Sequence, residues 1–148
     1  ARDLGHAELE CIVLCNLGMV YASLARFDEA LGHFEAALVM ARELHNRRAE
    51  GQILSYLGLR HARQARFDEA RGCLNAGEAL LRAVSDRLYL GILLCSRAET
   101  EHLAGDPNAA SAALAEAALI AAEVGAGSDS ELGLALARVR SILGQVGT

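Results

Sequence analysis

Glu99, Thr100, Glu101 and His102 place two carboxylates and an imidazole side by side, the groups that general acid–base catalysis uses. Glu101 and His102 are adjacent, however, and neighbouring residues on a helix point in different directions. Cys11 and Cys15 stand four apart and would share one helix face, a geometry that can hold zinc, with His6 the nearest further ligand. A structural zinc site takes four ligands, commonly in close pairs, and the rest of such a set is missing. The sequence contains no phosphate-binding glycine loop, no nucleophile elbow and no HExxH pair. No enzyme activity, cofactor or metal is therefore expected, and the question becomes what scaffold these residues decorate.

Length and composition bound that scaffold. The 148 residues suffice for one ordinary domain with a substantial core. Hydrophobic residues make up 53% and charged residues 22%, a globular balance. One proline, no tryptophan and abundant alanine and leucine indicate helix throughout. A net charge of −5 argues against binding a phosphate backbone, which normally needs a basic stripe. All 14 cationic residues are arginine. The four cysteines form no paired framework, which fits a reducing, cytoplasmic setting. The most apolar stretch, 109–122, is interrupted by Glu116 and is too short to span a membrane. The opening "ARDLGHAELE" has neither an initiator methionine nor a signal pattern, as expected of a segment from a longer protein.

The strongest signal is repetition. "ARFDEA" occurs at 25–30 and again at 65–70. Residues 15–44, 55–84 and 95–124 align without a gap at a step of forty, the mark of a stacked-repeat architecture. Each copy carries two helical patterns. Leu14, Leu17, Gly18 and Tyr21 share one face, and Ala30, Phe34, Ala37, Leu38, Ala41 and Leu44 share another. "ARFDEA" reads as the turn of a helical hairpin, with Asp28-Glu29 and Asp68-Glu69 in the first turn of the second helix. In the third copy Gly105 ends one helix, Asp106 caps the next and Pro107 occupies its first position. Small residues at Gly18, Gly58 and Ala98, and at Ala30, Ala70 and Ala110, let paired backbones approach, while Phe34, Leu74 and Leu114 fill the space beside them.

Leu17, Gly18, Tyr21, Ala30, Phe34 and Ala37 resemble the pattern of the tetratricopeptide repeat. The second copy keeps Leu57, Gly58, Ala70 and Leu74 but has His61 and Gly77 at the aromatic and last small positions. The third keeps Ala98, Ala110, Leu114 and Ala117 but has Arg97 and Glu101 at the leucine and aromatic positions. The resemblance implies an all-α superhelix of three hairpins, over about 5–45, 46–85 and 86–125, in a single domain spanning 1–148. A capping helix at about 130–146 buries Leu132, Ala135, Leu136, Val139 and Leu143 and leaves Arg138 and Arg140 outside. The usual unit of this family has about 34 residues. Here Leu44, Val84 and Val124 extend the second helix, and Asn46 and Asp86 cap the helices that follow. The long form is similar to repeats of kinesin light chains, G-protein-modulator scaffolds, and bacterial signalling ATPases and LuxR-type regulators. The arginine-only composition favours the bacterial group.

The resemblance also implies a concave groove lined by the first helix of each hairpin and holding a protein or peptide partner. By position this selects Asn16, Met19 and Ser23, then Gln52, Tyr56, Leu59 and Arg63, then Ser96, Glu99 and His102. Ile12, Cys15, Ala22, Ser55, Ala62, Ile92, Cys95 and Leu103 fall in the same columns. Without lysine, a clamp for a terminal carboxylate is not expected. Met19, Tyr56 and Leu59 suit an apolar peptide or amphipathic helix better. Self-association, or sensing of a small ligand, is the alternative role. Two smaller expectations concern polar residues. His33, equivalent to Cys73, reads as a packing residue. Arg97 and Glu101 could pair within a helix less buried than its relatives, or could face a partner.

Overall fold

A computed structural model describes residues 3–144. Seven α-helices and no strand occur among them: α1 (Leu4–Ser23), α2 (Phe27–Glu43), α3 (Arg47–Arg63), α4 (Phe67–Ala83), α5 (Arg87–Leu103), α6 (Pro107–Val124) and α7 (Glu131–Ile142). Hairpins form from α1 with α2, α3 with α4, and α5 with α6, and each stacks on the next to make a helical solenoid. The part of the anticipated capping helix at 145–146 lies outside the described residues.

Five turns are built alike. Ala25, His45, Ala65, Ser85 and Gly105 adopt positive φ. After each, the next backbone N–H donates to a carbonyl five residues back: Arg26 to Tyr21, Asn46 to Ala41, Arg66 to His61, Asp86 to Leu81 and Asp106 to Glu101. This left-handed cap satisfies carbonyls that the ending helix leaves open. Asn46, Asp86 and Asp106 then accept from the N–H groups of Ala49, Tyr89 and Ala109, so the anticipated caps are present. "ARFDEA" is indeed the turn and first helical turn, with the left-handed residue at its first alanine. Its arginine holds the cap position without a side-chain cap, and Arg26 pairs with Glu29 instead.

The small residues do the packing expected of them. A Cβ on Gly18 would stand 2.7 Å from the Phe34 ring, and one on Gly58 would stand 2.8 Å from Leu74. Phe34 and Leu74 are fully buried because nothing occupies that space.

The reading of α5 needs correction. It is the most buried helix among those described, not a lightly covered one. Arg97 donates to Asn75 and Glu78, and Glu101 accepts two hydrogen bonds from Arg71, all on α4. Arg97 and Glu101 therefore pair across helices rather than with each other, and neither faces outward to a partner. The cause is position: α5 lies among α3, α4, α6 and α7, so its polar residues must find partners within the stack. His33 stacks on Tyr21 with ring centroids 5.0 Å apart, which makes it the packing residue expected.

Candidate functional site

The helices α1, α3, α5 and α7 together line a trough. Its first part is a cavity of about 490 Å³ between α1 and α3, bounded by Ile12, Cys15, Asn16 and Met19 on one side and Gln52, Ile53 and Tyr56 on the other. A second cavity of about 320 Å³ continues along α3, α5 and α7, lined by Leu59, Arg60, Ile92, Cys95, Ser96, Leu134, Ala135 and Arg138. Met19, Tyr56 and Glu131 border both parts. Six of the ten residues selected by position, Asn16, Met19, Gln52, Tyr56, Leu59 and Ser96, therefore line one trough.

The other four line neither cavity. Ser23 donates to the Met19 carbonyl and lies exposed at the end of α1. His102 is exposed at the end of α5. Arg63 and Glu99 are bound to each other by two hydrogen bonds of 2.7 and 3.0 Å, and Glu99 is only 4% exposed. Glu99 is thus engaged within the wall, while Arg63 stays exposed. Leu59 is only 5% exposed, so it is chiefly a core residue with one edge on the trough.

Tyr56 organises the centre. Its hydroxyl donates to Glu131 on α7 and accepts from Gln52, and its ring centroid lies 5.6 Å from that of Phe34. Burial pushes its ionisation well above the ordinary phenol range. The thiols are likewise held protonated: burial, then the neighbouring Cys11 and Glu131, push Cys15 up to about 12, and burial pushes Cys95 up to about 12. Such thiols are poor nucleophiles and poor metal ligands. Cys11 Sγ donates to the Ala37 carbonyl instead. Among the described residues, no group of three or more His, Cys, Asp or Glu side chains is placed to hold a metal.

One end of the trough is cationic. Arg138 approaches Glu99 at 3.6 Å, opposite the Arg63 pair, and Arg60 lies beside them. Burial, reinforced by the charges of Arg63 and Arg138, lowers Arg60 to about 10, and its buried Nε has no hydrogen-bond partner. Two guanidinium groups thus pair with one carboxylate and a third lies within reach of its charge, in a chain whose net charge is −5. This end can take an anionic group.

Selection by position missed Arg60, Glu131, Leu134 and Arg138. The α7 residues fell outside the forty-residue step because the α6–α7 connection, 125–130, is longer than the three-residue turns elsewhere. Continuing the step would point to Leu132 and Val139, both fully buried. The helix is re-phased, and Arg138, expected outside, turns toward the trough.

The family profile for the tetratricopeptide repeat matches residues 9–83, just over half of the chain. The chain belongs to the tetratricopeptide repeat family. Repeats of this family commonly mediate contacts between proteins. The matched segment covers α2, α3 and α4 with most of α1, and so includes α1 and α3, which bound the first part of the trough. No curated protein matches the chain. Among the described residues, no helix is long and apolar enough to cross a membrane.

Proposed function

We propose that residues 1–148 act as one non-catalytic docking module, and that the trough receives an extended or helical segment of a partner protein. The observation that carries this reading is the wide opening between α1 and α3, where Ile12, Met19 and Tyr56 give apolar contact and Asn16, Gln52 and Glu131 supply polar groups at the edges. Arg60 and Arg138 favour a segment whose acidic side chain lies toward α7. The long second helix and the arginine-only composition support a place in a larger cytoplasmic, bacterial signalling or scaffolding protein. The net charge of −5 favours a protein partner over nucleic acid. A second reading, capture of a small ligand, draws on the size of the cavity, which falls within the range of about 300–1,000 Å³ common for such sites.

Selection of binders from a displayed peptide library tests the reading. Apolar peptides with an acidic residue are expected, and Met19→Asp and Tyr56→Ala should each weaken them more than about tenfold while the fold is retained. Selected peptides indifferent to both substitutions would overturn the assignment. A thermal shift with metabolites but not with selected peptides would favour the small-ligand reading.

A further inference from the structure

A different face of α1 carries a second surface, independent of the trough. Leu9, Val13, Leu17, Val20 and Leu24 follow one another at three- and four-residue steps and are all exposed. The repeat shows what such a stripe is shaped to meet. Val13 is 46% exposed, whereas the residues forty and eighty places on, Ile53 and Leu93, are 1% and 0% exposed. Leu17 is 36% exposed and Leu57 only 2%. In α3 these positions are covered by α2, and in α5 by α4. The cover has a defined chemistry. Gly77 of α4 lies so close that a Cβ there would stand 2.8 Å from Leu93, and α2 has the fully buried Ala37 at the same place.

We propose that the Val13–Leu17 stripe is the docking face for an amphipathic helix of the α2 and α4 kind, brought by another polypeptide segment, with glycine or alanine opposite Val13. Continuity with the α2–α3 and α4–α5 interfaces carries this choice, because α1 presents apolar residues at the positions those interfaces bury. A second copy of α1 is a poor occupant. Its own stripe is leucine and valine throughout and has no small residue to admit Val13 at the depth Leu93 reaches. A helix that is apolar on several faces is ordinarily covered on several faces, and α2 covers only one of these.

The test uses the full chain and a fluorescein-labelled peptide of residues 67–84 with Cys73→Ser, read by anisotropy. Saturable binding is expected, weakened more than about tenfold by Val13→Asp or Leu17→Asp in the protein and by Gly77→Leu in the peptide. Met19→Asp, which should weaken binding in the trough more than about tenfold, should leave this affinity within about twofold. Binding that survives Val13→Asp would place the peptide elsewhere and overturn the proposal, as would absence of saturable binding. A dimer that forms in place of peptide binding and dissociates on Val13→Asp would assign the stripe to a second copy and equally overturn the chosen occupant.

Discussion

Between α3 and α5 the hydroxyls of Ser55 and Ser96 meet at 3.1 Å, fully buried, and Arg63 reaches across to Glu99. Between α1 and α3 the residues forty places earlier are Cys15 and Tyr56, and the roomier part of the trough, about 490 Å³ against about 320 Å³, lies there. The two junctions share a register and a backbone plan. Several columns differ between them: Tyr56 stands where the second junction has Ser96, and Cys15 where it has Ser55. Tyr56 lines that cavity and ties its hydroxyl to Glu131 on α7.

The largest expected contrast compares equivalent residues at the two ends. Leu93→Ala, in the closed part, should cost about 3 kcal/mol, whereas Val13→Ala should stay within about 0.5 kcal/mol, both measured by urea unfolding. Equal losses would mean that α1 is as tightly held as α5. Next, Ser96→Tyr places the large residue of the first junction in the same column of the second. Overpacking should cost about 2 kcal/mol and raise hydrogen exchange in α5, and a neutral result would mean that the α3–α5 junction has room for a tyrosine.

Alkaline pH sharpens the comparison further. Cys95 sits in the closed region with its thiol held up to about 12 from 9.0. Below pH 9 the native and unfolded chains both keep this proton, so its contribution is fully present. Between pH 9 and about 12 the unfolded chain loses the proton first, and stability falls by up to about 1.4 kcal/mol per pH unit. Cys95→Ala should make that decline shallower by about one proton, and an unchanged slope would show that the site is open to water. The smallest effect is the hydroxyl contact itself. A double-mutant cycle on Ser55→Ala and Ser96→Ala should give a coupling of about 0.5–1 kcal/mol. No coupling would mean that the closed junction rests on packing alone.

Much of this architecture was legible in the chain. The forty-residue step, the glycine and alanine columns, and the caps at Asn46, Asp86 and Asp106 are local features, and each appears where the sequence puts it. The trough was legible in part, because equal positions in a repeat share a helix face; Met19, Gln52 and Tyr56 came out together for that reason. Exposure was not legible. Glu99 and Leu59 share the column of Met19, yet both are buried, because the cover on a residue depends on the helix beside it. Charge pairing was hidden as well: Arg97 and Glu101 stand four apart in sequence but find their partners on α4.

The sequence alone determined the period, the helix ends and the small-residue columns, since each depends on neighbours within about one turn or on a repeated step. Only the tertiary structure decided which junction opens, which arginines gather at Glu99, and which stripe of α1 stays bare. Those outcomes depend on side-chain volume and on the phase of α7, set by residues far apart in the chain. A serine and a tyrosine in one repeat column look alike until a second helix must pass beside them.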